Sequence, residues 1–140
     1  MEENRPIYYD TPNGIIFCMD IFKGKTALVG DYFPFSYANT KMVLQSLGIK
    51  VVIEETMNGV KERILKGEQY DVIFTNNIYG SGTGEQLLKE LKEIQGFNIP
   101  VVIHTLSDNI GNKFIKLGFN GYLKKYITQE DTIQVLKNLL

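Results

Sequence analysis

Five short runs rich in Val and Ile limit this chain to a narrow set of folds. They are Thr26 to Val29, Val51 to Ile53, Val72 to Phe74, Val101 to Ile103, and Tyr122-Leu123. None alternates apolar with polar residues, so each predicts a strand covered on both faces, as in a parallel sheet. Helix-periodic segments separate them. Ala38, Met42 and Leu44 to Leu47 carry the apolar face of the first, which stops at Gly48. Val60, Ile64 and Leu65 follow Asn58-Gly59 and end at Gly67, while Leu87, Leu88, Leu91 and Ile94 form a stripe that closes at Gly96. Ile110, Phe114 and Leu117 are spaced i, i+4, i+7 before Gly118. Thr128 and Asp131 open the last helix with a variant of the capping-box spacing, ahead of Ile133, Leu136 and Leu140. Strand and helix alternating five times predict an α/β sandwich with right-handed crossovers.

A length of 140 residues suits one domain with a sizeable core. The formal net charge of −1 gives no strong field for nucleic acid or an acidic partner. Cys18 is the only cysteine, so no intrachain disulfide or cysteine metal cluster is expected, and it reads as a small buried hydrophobe. The polar start from Met1 to Pro6 carries no signal-peptide pattern, and no apolar run approaches the ~18 residues of a membrane span. A cytoplasmic protein without membrane contact is the expectation. The first 24 residues lie outside the repeat, and Ile15 to Ile21 could add a strand after the Pro12-Asn13-Gly14 turn.

From about Lys25 onward the chain resembles response-regulator receiver domains, the CheY-like family of two-component signalling. The segment Leu28-Val29-Gly30-Asp31-Tyr32-Phe33-Pro34 stands where that family ends its first strand in two acidic residues, often followed by Pro. Asn58-Gly59 matches the start of its second helix, and Tyr70-Asp71-Val72-Ile73 matches the entry to its phosphoacceptor strand. Gly84 falls on the Gly before its third helix. Pro100 to Thr105 supplies the hydroxyl switch residue, Thr105. Gly118 to Lys125 resembles Gly-Ala-x-x-Tyr-Leu-x-Lys, giving the switch aromatic Tyr122 and the basic Lys125. The Pro expected next is Tyr126, which predicts loss of the usual cis-proline turn.

The resemblance implies a doubly wound five-stranded parallel sheet of order 2-1-3-4-5, a flavodoxin-like three-layer sandwich. It also implies a phosphorelay module rather than an enzyme. Its partners would be a histidine kinase or another signalling protein. The reaction itself is in question, because the phosphoacceptor position holds Asn76. A working receiver gathers carboxylates around Mg²⁺, a cation that favours hard anionic oxygens. The matching positions here offer Asp31, Tyr32 and Asn76: one carboxylate, one phenol and one amide. An amide cannot form an acyl phosphate. The expectation is a pseudo-receiver with Mg²⁺ binding lost or very weak, no metal ligand set, and Lys125 bonded to Asp31 or Asn76. The alternatives are an atypical receiver that is still phosphorylated, and a flavodoxin-like cofactor binder.

Four further readings accompany it. His104, the sole histidine, lies at the end of an apolar strand and reads as hydrogen-bonded and partly buried rather than as a phosphotransfer group. The run Gly80 to Gly84 lacks the Lys-Ser/Thr of a phosphate loop and reads as a flexible connection. Thr11 to Asp20 is similar to the last strand of a histidine-kinase ATPase domain, so residues 1–24 are either such a tail or an independent extension on the sheet edge, ahead of a receiver-like unit at 25–140. The resemblance implies pairing through the face of the fourth helix, fifth strand and fifth helix, where mixed charge at Lys113, Lys116, Lys124, Lys137, Glu130 and Asp131 predicts a weak homodimer or a monomer, without nucleic-acid contact.

Overall fold

The computed structural model describes residues 5–107 and 111–140. Its centre is a parallel sheet of β3 (Thr26–Gly30), β4 (Lys50–Glu54), β5 (Val72–Asn76), β8 (Val101–Thr105) and β9 (Gly121–Lys124), in the spatial order β4-β3-β5-β8-β9. Counted from Thr26, that is the predicted 2-1-3-4-5 order. The sheet pairs in phase, with Leu28 beside Val52 and Ile73, and Phe74 beside Val102.

Alternation within each strand divides the core in two. Ala27, Val29, Val72, Phe74, Val102 and Leu123 point to one face, where α1 (Pro34–Ser46) and α5 (Gln129–Leu136) supply Val43, Leu44 and Leu136. Leu28, Ile73, Val101 and Ile103 point to the other. There α2 (Met57–Leu65), α3 (Gly84–Lys92) and α4 (Gly111–Leu117) supply Val60, Leu87, Leu91 and Phe114. Burial of each Val, Leu or Ile is worth roughly 1.5–3 kcal/mol, which explains why these runs have no polar alternation. Thr56, Thr83 and Thr128 cap α2, α3 and α5 by accepting from the N–H groups of Gly59, Gln86 and Asp131.

Several helix details differ from expectation. Ala38 is exposed and Met42 half-buried, whereas Ser36, Asn39 and Thr40 are buried on the inner face of α1. Polar partners explain the burial of Ser36 and Asn39, as described below. Leu65 is exposed, because α2 ends there and the chain turns away at Gly67. Ile110 lies outside the described residues. The Gly80 to Gly84 run belongs to a small hairpin, in which β6 (Ile78–Tyr79) and β7 (Gly82–Thr83) pair antiparallel and Tyr79 folds into the core.

The N-terminal segment is a hairpin rather than one strand over 15–21. β1 (Tyr8–Thr11) pairs antiparallel with β2 (Gly14–Phe17), and the strand ends at Phe17 because the chain then binds the end of α1. Met19 N–H donates to Ser46 O at 2.7 Å, and Phe22 N–H to Leu47 O at 2.8 Å. These bonds occupy carbonyls that the last helical turn leaves without partners. Gly48 permits the close approach: its φ is +90°, and a Cβ there would lie 2.8 Å from Lys23 Cα. Ile16 packs against the α1–α5 core, and Cys18 is half-buried with its thiol donating to Pro6 O.

Candidate functional site

The carboxyl ends of β3, β5, β8 and β9 converge on one cleft of about 400 Å³, lined by Tyr32, Asn76, Thr105, Lys125, Ile78 and Leu106 among others. Asp31, Asn76 and Lys125 come together at its floor. Asp31, which follows β3, is fully buried. Its Oδ1 accepts from Phe33 N–H at 3.1 Å, and its Oδ2 accepts from the Ser36 hydroxyl. Lys125 Nζ stands 3.3 Å from the same Oδ2 and donates to Asn76 Oδ1 at 2.8 Å. The other end of the Asn76 amide is held by Nδ2–H donating to Ile78 O at 2.7 Å.

Neighbouring elements fix this arrangement. Ser36 and Asn39 are buried because they serve the floor and its surroundings: Ser36 binds Asp31, and Asn39 Nδ2–H donates to Ile127 O at 3.2 Å. The Tyr79 hydroxyl donates to Gly30 O at 2.9 Å and lies 2.7 Å from Thr75 Oγ1. A Cβ at Gly30 would collide with that hydroxyl, and one at Gly84 would collide with Asn76 O. Both glycines therefore hold the backbone where the cleft needs it. Ser36, Asn39 and Tyr79 were not singled out from sequence. A polar residue on the inner face of a helix beside a strand end was the available signal for the first two.

The remaining predicted residues line the cleft without joining the floor. Tyr32 is half exposed at the mouth. Thr105 is buried, and its Oγ1 accepts weakly from Ser107 N–H at 3.4 Å. The Tyr122 ring stacks on Phe114 at 6.0 Å, and its hydroxyl donates to Ser107 O at 2.7 Å. The Lys125–Tyr126 peptide is cis although no proline follows, contrary to the expectation from sequence. Tyr126 packs edge-on against Phe35 at 5.2 Å, and its carbonyl accepts from Asn13 Nδ2–H.

Burial lowers the pKa of Lys125, and the neighbouring Asp31 carboxylate counteracts that shift. His104 was expected to be hydrogen-bonded. It is fully buried, and neither ring nitrogen has a partner in the structure. Its ring meets Phe74 edge-on at 6.2 Å, which gives it an apolar setting. Burial pushes its pKa down to about 3, Lys125 adds to the shift, and Asp31 opposes it. Among the described residues, no three His, Cys, Asp or Glu side chains gather as a metal-ligand group.

A parallel sheet of this order, with an acid and a lysine meeting at the strand ends, has the frame of a receiver-type domain. The chain belongs to the response regulator receiver domain family, whose model matches residues 28–137. Among solved structures, it is similar to the receiver domain of the Francisella response regulator 1452, with 24% identity, TM-score 0.70, and coverage of 83% of this chain and 96% of that one. The receiver domain of the Pseudomonas aeruginosa sensor histidine kinase PA1611 aligns with 20% identity, TM-score 0.71, and coverage of 83% and 97%. The Vibrio cholerae chemotaxis response regulator CheY4 aligns with 18% identity, TM-score 0.68, and coverage of 83% and 98%. At these identities the likeness is one of fold. None of the curated proteins matches the chain. The chain is thus a receiver module of two-component signalling. No described helix is long and apolar enough to cross a membrane.

Proposed function

We propose that this receiver does not accept phosphate at Asn76 and acts by binding a histidine kinase or another signalling protein in the cytoplasm. In this reading residues 25–140 form the signalling unit and residues 1–24 an extension. The single observation that carries it is the ammonium of Lys125 between Asn76 Oδ1 and Asp31 Oδ2. The amide lacks the anionic oxygen needed to attack phosphorus. The cation sits where the remaining acid would otherwise offer negative charge.

The residues present do not fit Mg²⁺. The ion needs several hard oxygens in octahedral array. Here the one carboxylate is buried, with its oxygens engaged by Phe33, Ser36 and Lys125, and Tyr32 offers a phenol in place of a second carboxylate. The similar Pseudomonas domain was solved with a magnesium ion coordinated in its active-site cleft. Calorimetric titration with Mg²⁺ up to millimolar levels tests the difference. The reading requires no saturable binding at the cleft, and a saturable isotherm abolished by Asp31→Asn would overturn it.

A further inference from the structure

We propose that the outer edge of β1 joins two copies of this chain, Tyr8 of one pairing with Asp10 of the other in a continuous antiparallel sheet. The inference starts from hydrogen-bond parity in the hairpin. Cys18 N–H donates to Ile7 O at 2.9 Å, and the register pairs Tyr8 with Phe17, Tyr9 with Ile16, Asp10 with Ile15 and Thr11 with Gly14. Antiparallel ladders alternate bonded and non-bonded pairs. Ile7, Tyr9 and Thr11 therefore turn their backbone groups inward, and Tyr8 and Asp10 turn theirs outward. The opposite edge confirms the parity. Phe17 O accepts from Gln129 Nε2–H at 2.8 Å, and Met19 N–H reaches Ser46 O.

The two edges differ in cover. On the β2 edge Gln129 takes Phe17 O and the end of α1 takes Met19 N–H, whereas on the β1 edge the outward groups of both Tyr8 and Asp10 have no partner among the described residues. An open edge of this kind is a template for strand addition. Pro6 and Pro12 share the outward parity and bracket the open pair, so neither can donate from the edge. This restricts the register. Centring a twofold axis on Tyr8 would set Asp10 against Pro6, and centring it on Asp10 would oppose two carboxylates and set Tyr8 against Pro12. Centring it on Tyr9 sets Tyr8 against Asp10 twice, uses every outward N–H, and keeps the two carboxylates apart. Joining the β1 edges leaves the two β2 strands outermost, where Gln129 and the end of α1 stand against Phe17 and Met19 and oppose further strand addition. Tyr8, Ile15 and Phe17, all more than half exposed, share the outer face of the resulting four-stranded sheet.

The contact is short, so the pair is weak. Sedimentation equilibrium of the full chain across a wide concentration range should show reversible dimerisation. Asp10→Pro removes an outward donor that the hairpin does not use, and should weaken association by about tenfold or more. Cross-linking in a Cys18→Ser background provides an independent measure of register. A twofold axis at Tyr9 brings the two Cα atoms there to about 4.5 Å, inside disulfide reach, but leaves the two Asp10 Cα atoms about 9 Å apart. Tyr9→Cys should therefore form a disulfide-linked dimer under mild oxidation, and Asp10→Cys should not. A wild-type chain that stays monomeric throughout, a dimer insensitive to Asp10→Pro, or equal cross-linking of the two cysteine variants would each overturn the proposal.

Discussion

Lys125 Nζ donates to Asn76 Oδ1 at 2.8 Å while standing 3.3 Å from Asp31 Oδ2, so one lysine joins the ends of three strands. A buried carboxylate stripped of its counter-ion is costly. Lys125→Met should therefore destabilise the fold by about 3 kcal/mol, read as a lower urea midpoint at unchanged slope. A loss below about 0.5 kcal/mol, the range of ordinary surface substitutions, would mean that the hydrogen bonds from Ser36 and Phe33 suffice for Asp31.

Asn76→Asp alone should not restore efficient phosphorylation. The substitution supplies a nucleophile, but Tyr32 still stands where the metal site needs a carboxylate. Phosphoryl transfer depends on positioning and on stabilising charge at the phosphoryl oxygens. Asn76→Asp combined with Tyr32→Asp should regain Mg²⁺ binding and some labelling by acetyl phosphate. Equal labelling rates for the single and double variants would remove Tyr32 from the account.

His104 makes stability depend on pH. Its folded pKa of about 3 lies below the ordinary histidine value of 6.5. Between those values the unfolded chain binds a proton that the folded chain refuses, so stability falls as pH drops below 6.5. The nearby charges, Lys125 and Asp31, act in opposite directions on that proton. Relative to His104→Leu, the wild type should lose about 2 kcal/mol between pH 7 and pH 5. Parallel pH profiles for the two proteins in urea melts would refute it.

Tyr79 anchors the turn that holds Asn76. Its hydroxyl joins Gly30 O to Thr75, and burial raises its pKa, so it remains a neutral donor. Tyr79→Phe leaves the buried Gly30 carbonyl without that bond and should cost about 1–2 kcal/mol, measured as a shift in denaturation midpoint. No shift would show that Gly30 O finds another donor.

The sheet was legible because strands buried on both faces carry mostly apolar side chains up to the polar residues at their carboxyl ends, and Gly84 and Lys125 marked the register. The inner face of α1 was not legible. Hydrophobic periodicity selects Ala38 and Met42, while Ser36 and Asn39 are buried by polar partners that come from Asp31 and the distant Ile127. His104 differs for another reason: its type suggests a hydrogen-bond partner, yet it is fully buried against Phe74 and neither ring nitrogen has one. The hairpin over residues 8–17 escaped because β1, Tyr-Tyr-Asp-Thr, is too short and too polar to read as a strand.

The most direct test of the central claim is the intact mass of the wild-type chain after incubation with acetyl phosphate and Mg²⁺, beside a receiver that carries the acceptor aspartate. The account predicts that the control gains one phosphoryl group and this chain gains none. A phosphoryl adduct on this chain that Asn76→Ala abolishes would contradict it.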